Sequence, residues 1–99
     1  MGVTELERGK MYWKVIKSLG KPNKKSNITK IIVLSNTKFS DKTDMPIVDT
    51  IVFPKRNKYS YTFPYVSTLF LGDYNIPENV YNQNRIFASQ TEAEAYAAS

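Results

Sequence analysis

The chain has 99 residues, a net charge of +5, and neither cysteine nor histidine. Without cysteine it can form no disulfide and no thiolate metal site. Without histidine it lacks the commonest metal ligand and the usual general base near neutral pH. A chain of this length predicts a single domain, residues 1–99. It starts without an apolar signal region, and no apolar run is long enough to span a membrane, so we expect a cytoplasmic protein.

The charge is distributed unevenly along the chain. Between Arg8 and Ser40 there are nine Lys or Arg residues and no acidic residue, whereas from Tyr59 onward Arg85 is the single cation against four acids. Such polarity is typical of proteins that meet polyanions or acidic protein patches. Lysines that keep a small sheet soluble and protect its edges give the same pattern, and the sequence leaves both interpretations open.

The first third of the chain predicts two strands after a short turn. A capping-box pattern predicts one helical turn at residues 4–8. Residues 10–19 alternate with apolar side chains on both faces, which predicts a strand that is central or covered by an extra layer. A polar turn at 20–27 leads to the β-branched run at 28–35, which we expect to lie deep in the core.

The middle of the chain predicts a loop and two further strand regions. The polar residues 36–46 form the loop, and the alternating residues 47–53 form a strand. Residues 59–71 continue as one or more strands. Pro64 has no N–H to donate, so the chain is expected to be bulged or to lie at an edge there.

The end of the chain predicts a strand followed by a helix. Residues 74–84 are irregular by composition, and residues 85–88 form a short strand. Ser89 and Glu92 form a second capping box that opens a helix. That helix is too short to be stable by propensity alone, so it must dock through an apolar side. The docking residues are expected to be Ala93, Tyr96 and Ala97. The predicted fold class is α+β, a four- to five-stranded antiparallel sheet with a short C-terminal helix packed on it.

The most informative stretch is residues 55–65. Three cations precede an alternating run that places aromatic side chains at every second position, so a strand would put them on one face. Tyrosine can sit half-buried in a small core, so the ladder is either core or contact surface. As a contact surface, the basic residues would grip phosphate and the rings would stack on bases or pack on a protein partner. The candidate contact residues are Lys21, Lys24, Lys25, Lys55, Arg56, Lys58, Tyr59, Tyr61 and Tyr65.

No pattern in the sequence indicates catalysis. There is no glycine-rich phosphate loop and no nucleophile with an activating base, so we expect a protein that is not an enzyme and binds no cofactor. Asp41 and Asp44 with a lysine between them are too few ligands for a calcium site, and we expect no metal.

Two binding functions remain open. The first is contact with the backbone of RNA or single-stranded DNA. Lysine outnumbers arginine eleven to three, which favours non-specific phosphate contact over bidentate base reading. The second is docking on a protein partner through the same surface. An exposed edge strand would also permit a homodimer.

Residues 85–97 resemble the strand-then-helix ending of many small accessory proteins of tailed phages, and the Lys-, Asn-, Ile- and Tyr-rich composition is similar to theirs. This resemblance implies a host-takeover or anti-defence protein in the cytoplasm of the host cell. Such a protein acts as an inhibitor or adaptor of a host protein, for example a defence nuclease or another nucleic-acid-handling enzyme, without catalysis. The resemblance assigns no functional residue.

Overall fold

The computed structural model describes residues 2–17, 28–54, 63–76 and 83–98. The described residues form an α+β fold with an antiparallel sheet, a short 3-10 helix and a C-terminal α-helix. The elements are β1 (Met11–Val15), β2 (Ile28–Val33), β3 (Lys38–Phe39), β4 (Pro46–Phe53), β5 (Tyr65–Phe70), the 3-10 helix (Leu71–Tyr74), β6 (Arg85–Phe87) and α1 (Gln90–Ala98).

Every strand pair is antiparallel, and the order across the sheet is β5–β4–β2–β1–β6. The additional strand β3 lies on the β2 side of β4, because Ile47 pairs with Lys38 on one side and with Phe70 on the other. The sheet therefore has six strands, more than the four to five expected. Strand β3 falls in the predicted loop at 36–46, and two residues are too few for an alternating pattern to reveal.

The two sheet faces are covered differently. One face, which we call the inner face, carries the larger core, and the segment before β1 and the 3-10 region cover it. The buried residues of this core are Leu6, Tyr12, Ile31, Val33, Val48, Val52, Leu69, Leu71, Tyr74, Ile76 and Ile86. The predicted helical turn at 4–8 is wrong, because these residues form no helix and the residues that flank them bond to the sheet. Val3 N–H donates to the Ile86 carbonyl at 2.8 Å, and Gly9 N–H donates to the Val33 carbonyl at 2.7 Å.

Helix α1 covers part of the opposite, outer face. Its capping box is confirmed, since the backbone N–H of Glu92 donates to Ser89 Oγ at 3.1 Å. The predicted docking side is also confirmed. Ala93 and Ala97 are buried, and Tyr96 packs against the same cluster. The strand residues of this cluster are Trp13, Val15, Ile28 and Phe87. Strand β1 lies between β2 and β6 with both faces covered, as the apolar residues on its two sides predicted.

Two titratable groups meet on the inner face and predict opposite effects of pH. Burial, with a smaller contribution from Asp73, raises the pKa of Tyr74 to about 12. Burial lowers the pKa of Lys14, whose Nζ lies 5.8 Å from the centre of the Tyr74 ring. Between pH 10 and about 12 the unfolded chain loses the tyrosine proton while the folded protein keeps it, so the free energy of unfolding falls as pH rises.

We therefore expect Tyr74→Phe to reduce this loss of unfolding free energy between pH 10 and about 12. The reduction should be no more than about 2 kcal/mol at the upper end of this pH range. Lys14 acts in the opposite sense. The folded protein releases its proton below the unfolded value of 10.5, so stability rises as pH approaches that value, and Lys14→Met should remove the rise. Urea unfolding at a series of alkaline pH values measures both effects. Identical pH slopes for Tyr74→Phe and the unmodified chain would contradict the assignment.

Candidate nucleic-acid interface

The strand register brings the ends of five strands together at one end of the sheet. Val15 pairs with both Ile28 and Arg85. Lys30 pairs with Phe53, and Val52 pairs with Tyr65. Strands β1 and β4 therefore finish, and β2, β5 and β6 begin, at the same end, which we call the basic end.

Eight of the nine predicted contact residues lie outside the described residues. They are Lys21, Lys24, Lys25, Lys55, Arg56, Lys58, Tyr59 and Tyr61. They belong to two segments, 18–27 and 55–62, which contain six cations and no acid. Segment 18–27 joins β1 to β2, and segment 55–62 lies between β4 and β5, so the strands that flank both segments meet at the basic end.

The ninth predicted residue, Tyr65, is a surface residue. Its side chain is 52% exposed, and Phe63 of the same aromatic ladder is 73% exposed. Strand β5 begins at Tyr65, so Phe63 lies before it, and Pro64 separates the two residues. Pro64 immediately precedes the strand and lacks the N–H that would extend the ladder. The two described members of the ladder are thus available to a partner and are not part of the core.

A cleft on the outer face opens at the basic end. Its volume is about 550 Å³, and Trp13 and Phe53 supply its aromatic side chains. Lys30 lies between them in the sheet, directly opposite both residues in the register, and its Nζ is 5.0 Å from the centre of the Phe53 ring. The described residues that line it are Trp13, Ile28, Lys30, Phe53, Pro54, Gln90 and Glu94.

The first turns of α1 supply the polar side of this cleft. Gln90 Nε2 donates to Glu94 Oε1 at 3.1 Å, one helical turn apart. The docked alanines hold this side of the helix next to the strands, because Ala93 and Ala97 are buried. The arrangement offers flat aromatic faces, one cation and an amide–carboxylate pair. Such groups can stack on a planar ring and form hydrogen bonds with its edge.

Sequence reasoning found only part of this cleft. Of the adjacent aromatic residues Tyr12 and Trp13 in β1, Trp13 lines the cleft. Tyr12 cannot stack on a ligand, because it is 4% exposed and its hydroxyl accepts a hydrogen bond from the Glu7 N–H at 2.9 Å. Phe53 was assigned to a strand face and Glu94 to a helix turn. Only the strand register and the position of α1 bring these residues together.

The cations of the two ends have different partners. At the end opposite the basic end, Lys10 pairs with Glu7 at 2.9 Å, and this hydrogen bond raises the pKa of Lys10. Lys38 pairs with Asp49 at 2.8 Å. Lys30 at the basic end has no carboxylate partner among the described residues. Its charge is therefore available to an anionic ligand in the cleft.

The described residues contain no group of three acidic side chains that could hold a metal ion. None of the helices in the described part of the chain is long and apolar enough to cross a membrane.

The fold and the cleft define a small α+β domain with an open, aromatic-lined surface at one end of its sheet. The chain belongs to the family described as Phage g100-like protein, whose model matches residues 1–99. The expectation of a phage protein is therefore confirmed. No curated protein and no solved structure matches the chain.

Proposed function

We propose that this phage protein acts by binding single-stranded nucleic acid at the basic end, without catalysis and without a cofactor. The main support is the strand register. It gathers the strands that flank the acid-free segments 18–27 and 55–62 at the end where the cleft of Trp13 and Phe53 opens. Six cations in the sequence of these two segments, together with exposed and cleft-lining aromatic residues, are the combination that single-strand binders use.

Each group has a distinct physical role in the proposed complex. The cations of the two segments and Lys30 neutralise phosphates and release counterions. Trp13 and Phe53 each offer a ring face to a base, and each stacked base contributes roughly 1–3 kcal/mol. The exposed Tyr65 pairs with Val52 and lies on the inner face of the basic end, so it offers a separate aromatic contact on the other side of the sheet. Because most of the cations are lysines, the interaction reads the backbone more than the sequence of bases.

The salt dependence of binding tests this proposal. A triple variant, Lys55→Gln, Arg56→Gln and Lys58→Gln, removes three charges at the basic end. We expect it to weaken binding of labelled RNA and single-stranded DNA strongly at low salt. The slope of log affinity against log salt should fall in magnitude by up to about 2, because each phosphate contact on a single strand contributes about 0.7. Fluorescence anisotropy at several salt concentrations measures both quantities.

A matched control separates the site from net charge. Arg8→Gln, Lys10→Gln and Lys42→Gln also remove three charges, and these exposed residues lie at the opposite end of the sheet, beside the start of β1 and in the β3–β4 turn. The control variant should keep most of the affinity and of the salt slope. An equal loss of affinity in both triple variants would contradict the proposal. So would the absence of binding by the unmodified chain at low salt.

A second candidate is docking on a host protein, as an inhibitor or adaptor in the host cytoplasm that blocks an anti-phage nuclease or another enzyme. The observation that favours it is the exposed apolar run of residues 63–66, in which Phe63 and Val66 are 73% and 70% exposed. Exposed aromatic residues are typical of protein interfaces. A purified host protein that binds the chain after nuclease treatment, and loses affinity with Phe63→Ser, would favour this candidate. Loss of binding on nuclease treatment would favour nucleic acid.

A further inference from the structure

Among the described strands, none pairs with the outer edge of β5, where the Thr68 carbonyl accepts one long hydrogen bond from the neighbouring Ser67 Oγ at 3.5 Å. Leu34 N–H donates to the Asp49 carbonyl, so the backbone groups of Asp49 point toward β2. Directions alternate along a strand, so the backbone groups of Thr50 point toward β5, where Thr50 pairs with Ser67. Ser67 therefore points toward β4. The residues on either side of Ser67 along β5, at every second position, therefore point their N–H and C=O groups away from the sheet. No described strand pairs with these groups. These residues are Val66, Thr68 and Phe70.

This edge lacks the features that usually protect an edge strand. Strand β5 contains no charged residue and no proline, and its register with β4 is continuous. Native edges are commonly protected by lysine, proline, bulges or a covering segment. The opposite edge of the sheet shows such cover, because Val3 N–H donates to the Ile86 carbonyl of β6. The segment before β1 thus covers the β6 edge, whereas no described strand covers the β5 edge.

An apolar row on the outer face leads to the same edge. Met11, Ile32, Ile51 and Val66 lie directly opposite one another across β1, β2, β4 and β5. Met11 is 41% and Val66 70% exposed, and α1 packs on the β1, β2 and β6 side.

We propose that a second copy of the chain pairs with β5 in antiparallel orientation and continues the sheet across a two-fold axis at Thr68. Residues that exchange hydrogen bonds across the axis must have outward-pointing groups, so Thr68 faces Thr68 and Val66 faces Phe70 of the second copy. Each such pair exchanges two hydrogen bonds. Two other registers would also pair residues with outward-pointing groups. A shift of two residues in one direction places Phe70 opposite Pro64, which has no N–H to donate. A shift of two residues in the other direction pairs fewer residues than the register centred on Thr68.

Apolar packing favours a second copy as the occupant, and the antiparallel orientation limits the charge repulsion between the copies. In this register Val66 of the apolar row lies beside Phe70 of the second copy, so the row continues into the next sheet. Each copy carries a charge of +5, which opposes self-association. Antiparallel pairing places the two basic ends at opposite extremes of the joined strands, which minimises this repulsion. Strand β5 itself contributes no charge to the contact.

Sedimentation equilibrium on the nucleic-acid-free chain tests the association. We expect a concentration-dependent dimer at physiological ionic strength. Val66→Lys should raise its dissociation constant at least about tenfold, because a lysine on an edge strand opposes pairing. Met45→Lys is the matched control, an exposed apolar residue in the β3–β4 turn, and should leave the constant unchanged. Thermal melting checks that both variants fold. A monomer at all concentrations, or equal effects of the two lysines, would overturn the proposal.

Single cysteines test the register, because the chain has no cysteine of its own. Hydrogen-bonded antiparallel partners have Cα atoms about 5.5 Å apart, within the range of a disulfide. Thr68→Cys should therefore form a disulfide-linked dimer on mild oxidation, whereas Val66→Cys, four residues from its copy in this register, should not. Thr43→Cys in the β3–β4 turn is the second control. Cross-linking that is as fast at 66 or 43 as at 68 would exclude a two-fold axis at Thr68.

Discussion

Replacing Phe87 with alanine is expected to remove about 3–5 kcal/mol of unfolding free energy, the usual cost of deleting a buried ring. Phe87 is 2% exposed, pairs with Trp13 across β6 and β1, and lies 5.2 Å from Tyr96 between ring centres. Its ring thus joins the sheet to α1. Small domains have a total stability of about 5–15 kcal/mol, so this single change should leave the protein close to unfolding.

Urea unfolding followed by far-ultraviolet circular dichroism measures this effect. Phe63→Ala is the matched control, because the same side chain is removed from a position that is 73% exposed. It should change the unfolding free energy by no more than about 0.5 kcal/mol. If Phe63→Ala destabilised the protein as much as Phe87→Ala, the aromatic ladder would belong to the core, and the contact surface proposed at the basic end would lose its stacking residues.

The second large effect is expected from Ala93→Glu. Ala93 is fully buried between α1 and the sheet, in the cluster that contains Val15 and Phe87. A carboxylate there would be buried without a partner, which typically costs about 3–5 kcal/mol. We expect α1 to detach from the sheet. Gln90 and Glu94 form the polar side of the cleft, so the cleft would lose this side if the helix detached.

Ala95→Glu is the control for helix composition and charge, since Ala95 is exposed on the same helix. Thermal melting and nucleic-acid anisotropy should both be near normal for this variant. In Ala93→Glu the melting temperature should fall sharply, and any protein still folded at low temperature should have lost the cleft component of binding. Unchanged melting of Ala93→Glu would show that α1 does not dock through this residue in solution.

Much of the fold follows from local patterns in the sequence. The apolar and β-branched residues of 47–53 and the β-branched run at 28–35 indicated β4 and β2. Ser89 and Glu92 indicated the start of α1. These signals are local, because side-chain alternation and capping each depend on residues within a few positions of one another. The absence of cysteine and histidine, and the basic first third of the chain, also required no structure.

What the tertiary structure decided depends on pairing between distant residues. The segment before β1 packs over the sheet and forms no helical turn, because its backbone N–H groups donate to the Tyr12 hydroxyl and the Ile86 carbonyl. The register alone placed Trp13, Lys30 and Phe53 in one row and brought the flanks of the two basic segments to one end. A shift of one residue would turn those side chains to the other face. The sequence by itself determined β1, β2, β4, β5 and β6, the helix α1 and the charge of this protein. Only the pairing of distant strands decided which side chains meet, since register is set by contacts between residues far apart in the chain.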